Sequence, residues 1–350
     1  AGLRLVDTHN EQAASYLADA YARLTGHVGV CAVSSGVAHV NAFAGLLNAH
    51  YDGAPLLLIT GASPSPTLGR GGFQDLDHSS LARPFCKRAE TVLQAERLPL
   101  AVHEAFAAAT AGRPGPVQLT NPLDVLDARG YAASLRLPFG TYGRVKPRAV
   151  ADVDLIRQAA RMLAEARRPL IVAGSGLFYA DAGAALAEFT QLTRIPTVTP
   201  IWDRGVVNRS SETFCGVIGA ASGEPTLLNQ ADLLLLGGVH ANYRLRYLDS
   251  PPLATDLRIV RIDTDPLALH QGREADLAIM ADGAHAFQQL TEAWRAGNYA
   301  SHDGWLAKAR EDHQDSMAAG QSHLIHSPTG SQALISFMPC GPSSTTRPSF

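Results

Sequence analysis

The sequence has few of the features that mark secreted, membrane-spanning or nucleic-acid-binding proteins. Its 350 residues include only four cysteines, widely separated and without a C-x-x-C pair, which excludes a disulfide framework and predicts reduced thiols in a cytoplasmic protein. No apolar run reaches the roughly 18–20 residues that a membrane span needs. With 29 basic and 32 acidic residues, the chain has no basic excess to bind nucleic acid or an anionic membrane. We therefore expect neither as a partner.

What the chain does contain is enough apolar sequence for two packed domains. Hydrophobic residues make up 46% of it and charged residues 17%, and a length of about 150 residues per domain predicts two domains. Apolar strand patterns alternate with helical patterns, which predicts parallel sheets covered by helices on both faces. We expect two doubly wound α/β domains, over residues 1–125 and 151–300, joined by a linker over residues 126–150.

The spacing of the apolar residues places the individual elements along the chain. The segment over residues 61–78 is rich in Gly, Ser and Pro and predicts a loop in the first domain. Helices are predicted over residues 10–24, 34–50, 98–111, 153–166, 180–192 and 284–294, and strands over 28–33, 55–60, 117–120, 169–173, 195–198, 232–236, 257–262 and 275–280.

The two ends of the chain differ from the rest. The chain begins with Ala1 rather than Met, and the apolar opening resembles a strand whose partner lies outside the chain. From Ser327 to Phe350, 15 of 24 residues are Ser, Thr, Pro or Gly, a composition that buries too little apolar surface to order itself. No Asp or Glu follows Asp315. We expect residues 301–350 to be a truncated or aberrant, disordered tail, and the chain to be a fragment.

Two glycine-containing turns follow predicted strands. Gly174-Ser175-Gly176 lies where a dinucleotide pyrophosphate could bind, but Tyr179 stands in place of the third glycine of that fingerprint. A tight strand-to-helix turn is therefore the favoured interpretation. Ser34-Ser35-Gly36 predicts a serine helix cap, with a backbone anion site as the alternative. The thirteen histidines have no metal-ligand spacing, so most are expected to be structural or on the surface.

Glu11 lies at the start of the first predicted helix, and two hypotheses fit it. Thr8-His9-Asn10-Glu11 has the spacing of a capping box, in which Thr8 and Glu11 satisfy each other's backbone donors. Alternatively, a carboxylate on an apolar helix start is buried with a raised pKa and is ready to exchange a proton. Spacing alone favours the capping box.

The order of these segments resembles the thiamine-diphosphate-dependent acetolactate synthase and 2-oxoacid decarboxylase superfamily. The most specific match is Gly112-Arg113-Pro114-Gly115-Pro116-Val117, and each of the others is weak alone but follows in the same order. The resemblance covers residues 1–300. The other segments that match the family are His9–Ala14, Ala18–Gly26, Val33–Asn41, Ile59–Gly61, Phe73-Gln74, Arg83–Lys87, Pro122, Asp124, Val125 and Ile262–Pro266.

The resemblance implies a pyrimidine-binding domain followed by a Rossmann-like central domain, and it implies thiamine diphosphate as cofactor. In that family the glutamate matching Glu11 bonds N1′ of the aminopyrimidine and favours loss of the thiazolium C2 proton, and the thiazolium is the electron sink. The family binds the diphosphate and Mg²⁺ in a third domain, which a homodimeric or homotetrameric partner supplies. These 350 residues would then hold only the pyrimidine half of a site, without metal ligands.

Five further residues match functional positions of the family. Ser35 and Gly36 match the turn that faces the cofactor. Phe73 and Gln74 match a loop that approaches the reacting carbon, where an amide can orient a substrate carbonyl, although a polar loop residue beside a core aromatic is an equally good interpretation. Arg113 matches a position near the flavin of the flavin-bearing members, but a solvated arginine in a tight turn is the favoured interpretation.

The chain departs from the family pattern at three places. Asn10 stands where the family usually has the histidine that precedes the glutamate, and His9 lies one position early. Ser34–Asn41 stands where the family has T-S-G-P-G-A-T-N, so it lacks the proline and the second glycine. Gly216-Val217-Ile218-Gly219 stands where acetolactate synthases have Gly-Met-His-Gly near FAD. The third departure argues against FAD and against strict acetolactate synthase activity.

The function that the resemblance implies is making or breaking a C–C bond next to the carbonyl of a 2-oxoacid, as a carboligase or decarboxylase acting on a 2-oxoacid or acyl substrate. A lyase for 2-hydroxyacyl-CoA or benzoin-type substrates is the alternative within enzymes. A non-catalytic two-domain subunit is an alternative of another class, and a nicotinamide oxidoreductase is disfavoured by Tyr179. We expect this chain by itself to be catalytically inactive.

Overall fold

The structure is a computed structural model that describes residues 4–128, 148–203, 205–207, 210–219, 227–250 and 253–325, the last nine of these as backbone only. It contains two α/β domains, each built on a parallel sheet, as the alternating pattern predicts. Most of the predicted linker over residues 126–150 lies outside the described residues. None of the helices within these ranges is both long and apolar enough to cross a bilayer.

The first domain has a four-stranded sheet with the order β1-β2-β4-β3, and every neighbouring pair is parallel. Because the strands are parallel, their carboxyl ends meet at one edge, where the turn after β1 and the loop after β2 lie. The elements are α1 (Glu11–Thr25), β1 (Gly29–Val33), α2 (Val37–Asp52), β2 (Leu56–Ala62), α3 (His78–Ala82), β3 (Arg88–Thr91), α4 (Leu98–Thr110), β4 (Pro116–Pro122) and α5 (Leu123–Leu126).

Helices α1 and α2 approach each other closely because one of the residues between them is glycine. A Cβ on Gly45 would lie 2.5 Å from the backbone carbonyl carbon of Ser15, so only glycine permits this crossing. The amide N–H of Gly45 donates to Oγ of Ser15 at 3.3 Å. One turn further on, the side chain of Asn48 donates to Asp19 at 2.7 Å. These bonds hold the start of α1 against α2, and thereby position Glu11.

The second domain has a six-stranded parallel sheet with the order β10-β9-β8-β5-β6-β7. Strand β5 has all five residues buried, as expected of a parallel strand covered on both faces. The elements are α6 (Val153–Glu165), β5 (Pro169–Ala173), α7 (Ser175–Tyr179), α8 (Gly183–Thr193), β6 (Thr197–Pro200), β7 (Phe214–Ile218), α9 (Leu227–Gln230), β8 (Leu233–Gly237), β9 (Arg258–Asp263), α10 (Pro266–Leu269), β10 (Leu277–Met280), α11 (Gly283–Ala296) and α12 (Asp303–Ile325).

Helix α12 corrects the expectation that residues 301–350 form a disordered tail. Trp305, Leu306 and Ala309 are buried in the cluster of apolar side chains on one face of the central sheet. The indole N–H of Trp305 donates to the carbonyl of Pro169 at the start of β5, at 2.8 Å. The central domain therefore extends past residue 300, because an apolar stripe near the start of α12 finds a partner there. Residues 326–350 lie outside the described residues.

The two domains contact each other through the helix that follows β5. Tyr179 and Phe178 of α7 pack into the apolar cluster between the first sheet and helices α1 and α2, and Tyr179 is 8% exposed. On the same side of the molecule, a cavity of about 1460 Å³ separates the domains. Residues of both domains therefore line one cleft.

Candidate functional site

Glu11 is the first residue of α1, and its neighbour Asn10 caps the helix. Oδ1 of Asn10 accepts the N–H of Gln12 at 2.8 Å. Oγ1 of Thr8 lies outside the helix and donates to the carbonyl of Asn10 at 3.0 Å. The predicted capping box is therefore wrong, since Asn10 supplies the cap and Glu11 stands two positions too early for that motif.

The carboxylate of Glu11 is held by a side chain of the second helix. Nδ2 of Asn41 donates to its Oε2 at 3.1 Å, and the residue is partly exposed. The backbone N–H of Glu11 and then the amide of Asn41 lower the pKa of the carboxyl below its ordinary value. The hypothesis of a buried carboxyl with a raised pKa is therefore wrong for this structure. At neutral pH the carboxyl of Glu11 is therefore ionised, and it is a partly exposed hydrogen-bond acceptor.

The turn between β1 and α2 requires glycine at its centre. Gly36 has φ +54°, and a Cβ at this position would collide with Cβ of Gln74. Oγ of Ser35 donates to Oε1 of Gln74 at 3.5 Å. No side chain caps α2, so the predicted serine cap is wrong. The structure thus brings Ser35, Gly36 and Gln74 together, although the last comes from a separate loop.

Gln74 itself has an unusual backbone. Its φ is +52°, a left-handed conformation that is uncommon in residues other than glycine, asparagine and aspartate. The preceding Phe73 is 81% exposed, so it is not the core aromatic that the structural interpretation of this loop requires. The predicted loop over residues 61–78 forms over most of its length, but its first two residues continue β2, it contains a short 3₁₀ turn at Ser65–Thr67, and its last residue begins α3.

Two histidines beneath the Gly36 turn were not singled out from the sequence. The amide N–H of Gly36 donates to Nε2 of His78 at 2.8 Å. His39 lies edge-on against His78, with ring centroids 4.8 Å apart. The one available signal was that His39 stands where the family pattern has alanine. Asn41, the partner of Glu11, belonged to the same matched segment but carried no assigned role.

Arg113 lies apart from these residues, at the cleft between the domains. It donates to the backbone carbonyls of His50 at 3.3 Å and of Tyr51 at 2.9 Å. Burial lowers the pKa of its guanidinium, and Asp263 and Asp265 partly oppose that shift. Arg113 is thus half-buried, bonded to two backbone carbonyls, and lines the interdomain cavity.

The turn over residues 174–176 is tight, as favoured from the sequence. A Cβ on Gly174 would collide with the carbonyl of Gly238, so close packing against β8 explains this glycine. The amide N–H of Ser175 donates to Oδ2 of Asp203 at 3.0 Å, and Arg244 binds the other oxygen of that carboxylate at 2.5 Å. The amide N–H of Ser175, which a pyrophosphate at this turn would need, is thus already bonded to an internal carboxylate. The turn does not fit the pyrophosphate of FAD or of a nicotinamide dinucleotide.

The described residues differ in how well they suit the two other groups that the resemblance implies. They contain no cluster of three or more His, Cys, Asp or Glu that could hold a metal ion, so they do not fit Mg²⁺. They do fit the pyrimidine part of thiamine diphosphate. An ionised acceptor, Glu11, lies partly exposed at the start of α1 and is held there by Asn41.

Comparison with known proteins identifies the class to which this fold and site belong. Residues 1–81 match the family model described as thiamine pyrophosphate enzyme, N-terminal TPP binding domain. Residues 156–290 match the model described as thiamine pyrophosphate enzyme, central domain. The chain therefore belongs to the thiamine-pyrophosphate-dependent enzyme superfamily, as its sequence motifs indicate.

The curated relatives are enzymes of several activities. The chain is 33% identical to glyoxylate carboligase of Escherichia coli O157:H7, over 89% of the chain and 53% of the relative. It is 30% identical to acetolactate synthase large subunit of Corynebacterium glutamicum, over 86% of the chain and 48% of the relative. It is 30% identical to 2-hydroxyacyl-CoA lyase 1 of Dictyostelium discoideum, over 75% of the chain and 45% of the relative. The chain thus spans about half the length of the relatives it matches.

A solved structure shares the fold. The X-ray structure of a Mycobacterium smegmatis protein assigned to the thiamin diphosphate-dependent enzymes superposes with a TM-score of 0.71. The sequence identity is 24%, and the match covers 82% of this chain and 54% of that one. At this identity, the likeness supports the arrangement of the two parallel-sheet domains and nothing about substrate.

Proposed function

We propose that this chain supplies the pyrimidine-binding half of an enzyme that makes or breaks a C–C bond next to a 2-oxoacid carbonyl. The observation that carries the proposal is the carboxylate of Glu11, ionised and fixed by Asn41 on α2, the helix that begins at the Gly36 turn. A fixed carboxylate can accept a hydrogen bond from a protonated ring nitrogen, which is the role that the family assigns to this position.

The cofactor, when bound, supplies an electron sink for the carbanion that forms next to the substrate carbonyl. The chain's own residues would bind the pyrimidine of the cofactor and orient the substrate. Glu11 accepts a hydrogen bond from a protonated nitrogen of the pyrimidine, and the turn at Ser35 and Gly36, which begins the helix that carries Asn41, faces the same ring. Gln74 faces this turn and can donate its side-chain amide to a substrate carbonyl without titrating. Phe73 offers an exposed apolar surface beside it.

Mg²⁺ and the diphosphate are proposed to bind outside these 350 residues, as the covered share of the relatives suggests. The chain's own surface supports assembly with a second copy into a homodimer or homotetramer. One exposed stripe of α1 is apolar, and Leu24 on it is 71% exposed. Large exposed apolar patches on a folded protein favour protein–protein contact. The other exposed apolar side chains on α1 and α2 are Tyr16, Leu17, Tyr21, Val37, Val40 and Tyr51.

Two alternatives remain, and one of them has an observation in its favour. A 2-hydroxyacyl-CoA lyase activity is favoured by the similarity to the Dictyostelium protein of that name. A non-catalytic subunit remains the alternative outside enzymes, and it predicts that replacing Glu11 has no effect on the binding of any ligand.

The free thiols of Cys31, Cys86 and Cys215 suit the reducing cytoplasmic setting that we propose.

The test is calorimetric titration of the chain with thiamine diphosphate and Mg²⁺, together with its Glu11→Gln and Glu11→Ala variants. We expect both substitutions to weaken binding by tenfold or more, because a neutral side chain cannot balance a protonated pyrimidine. Glu96, an exposed glutamate distant in sequence from the site, provides the matched control Glu96→Gln, which should bind as the unaltered chain does. Equal affinity in all four proteins would contradict the proposal and favour the non-catalytic subunit.

A further inference from the structure

Two histidines are buried together beneath the cofactor-facing turn. His39, on α2, is fully buried, and His78, at the start of α3, is 2% exposed. Their rings meet edge to face, with an interplanar angle of 78°. Neither belongs to the cofactor contacts proposed above, yet His78 is bonded to the backbone of that turn. A buried imidazole pair at this place calls for a physical explanation.

The hydrogen bonds of His39 define where its proton lies. Its Nε2 is 3.1 Å from the carbonyl oxygen of His78, which can only accept, so Nε2 must carry a proton. Its Nδ1 is 2.8 Å from Oγ1 of Thr60. In the neutral ring, Nδ1 therefore accepts the hydroxyl proton of Thr60.

The hydrogen bond from Gly36 defines the tautomer of His78 in the same way. A backbone N–H can only donate, and that of Gly36 points at Nε2 of His78 from 2.8 Å. Nε2 must therefore be unprotonated, and the proton of the neutral ring lies on Nδ1. A second proton on Nε2 would place two donors against each other, so the turn and a charged His78 are incompatible.

We propose that His78 is a positioning residue, whose unprotonated Nε2 holds the Gly36 turn against Gln74 and whose protonation releases that turn. One consequence, weaker binding of the cofactor at acid pH, rests on the proposed function. The hydrogen bond between His78 and the Gly36 turn does not depend on it. Gly36 and Gln74 both have positive φ and lie in contact, so a change in one is transmitted to the other.

The groups around His78 determine the pH at which release occurs. Asp77, the N-cap of the same helix, and Asp75 on the preceding loop favour the charged ring, while His39 on α2 and Thr60 on β2 add no negative charge. Burial outweighs both carboxylates and lowers the pKa of His78 below its ordinary value. Burial and the neighbouring His78 lower the pKa of His39 to about 4. The turn is therefore held at neutral pH and released below the ordinary range of histidine.

The test is nuclear magnetic resonance of the ¹⁵N-labelled chain without any ligand. At neutral pH, we expect the ring nitrogens to report the Nδ1–H tautomer for His78 and the Nε2–H tautomer for His39. As the pH falls, the amide signal of Gly36 should titrate together with His78, and its hydrogen exchange, corrected for the intrinsic pH dependence, should accelerate tenfold or more.

Two substitutions separate hydrogen bonding from titration. His78→Gln keeps an oxygen that can accept from Gly36 but cannot titrate, so we expect a protected Gly36 amide and a flat pH profile. His78→Leu removes the acceptor, and the amide should exchange rapidly at every pH. His27→Gln, at an exposed histidine, is the matched control and should leave the Gly36 profile unchanged.

An Nε2–H tautomer for His78 would overturn the proposal even if the leucine variant fails to fold. So would a Gly36 amide that titrates in His78→Gln as it does in the unaltered chain. Titration with thiamine diphosphate and Mg²⁺ at pH 7.5 and 5.5 separates this proposal from the function. If the amide behaves as expected but no binding occurs at either pH, the proposed function fails and the positioning role of His78 stands.

Discussion

The side-chain amide of Asn41 donates to the carboxylate of Glu11 over 3.1 Å and so joins the second turn of α2 to the first residue of α1. The bond lowers the pKa of Glu11 and fixes the direction of the carboxylate. It also explains how a carboxylate that is only partly buried can be held in one place. A flexible exposed glutamate would lose conformational entropy whenever it bound a ligand.

Replacing Asn41 with leucine should therefore raise the pKa of Glu11 toward its ordinary value, because the leucine side chain cannot donate a hydrogen bond. The backbone N–H of Glu11 still lowers the pKa, so the return should be partial. The measurement is a ¹³C titration of the glutamate carboxyl carbons. Asn229→Leu, at an exposed position of α9 in the central domain, is the control. An unchanged Glu11 titration in Asn41→Leu would show that the hydrogen bond does not form in solution.

Gly36→Ala should destabilise the chain by about 2–4 kcal/mol, because a left-handed alanine costs about 1–2 kcal/mol and the new Cβ also collides with Gln74. Gly69→Ala is the matched control. Gly69 has φ +73° but open space around its Cβ direction, so only the cost of about 1–2 kcal/mol should remain. Urea unfolding measures the loss of stability in both variants. Equal losses in the two variants would mean that Gln74 does not pack on this turn.

The stability of the chain should fall as the pH is lowered from about 6.5 toward 4, because the pKa of His39 is about 4 in the folded chain. The unfolded chain, with a histidine pKa of about 6.5, binds more protons in this window and is favoured by acid. His39 alone should account for about 2 kcal/mol between pH 7.5 and 5. Urea unfolding of the chain and of His39→Asn checks this. The variant should lose less stability than the unaltered chain over the same range.

Asp203→Ala should cost about 3–5 kcal/mol, because Arg244 and Asp203 are both largely buried and the substitution leaves the guanidinium without its carboxylate. Asp154→Ala removes the exposed partner of Arg157 and should change the stability by less than about 1 kcal/mol.

Neither the unaltered chain nor these variants should quench the fluorescence of FAD. Quenching by the unaltered chain would show that a flavin binds elsewhere in the chain or displaces Asp203 from the Ser175 turn.

The 350-residue chain, purified alone and supplied with thiamine diphosphate and Mg²⁺, should not consume pyruvate. This follows from the proposal that the diphosphate and the metal bind outside these residues. The measurement is coupled detection of carbon dioxide release, with a full-length acetolactate synthase as the positive control. Turnover that disappears in Glu11→Ala would contradict the proposed half-site, while confirming the role of Glu11.

Some elements of the fold could be predicted from the sequence because a pattern of consecutive residues defines them. Strand β5 was predicted over the same residues that the structure shows, since five consecutive apolar residues between two helical patterns suit a strand buried on both faces. Strand β7 was not predicted. Its register against β6 is irregular and Gly216 within it has φ +103°, so pairing with its neighbour, rather than a periodic pattern, defines it.

The sequence by itself determined the two parallel-sheet domains, the family and the position of Glu11, because apolar periodicity and ordered motifs are written in consecutive residues. Only the tertiary structure decided what surrounds these motifs. Gly36 and His78 are 42 residues apart, and Ser175 and Asp203 are 28 apart, yet each pair forms one hydrogen bond. No periodic pattern encodes such a bond, because its partners meet only after the strands have paired and the interior has closed around them.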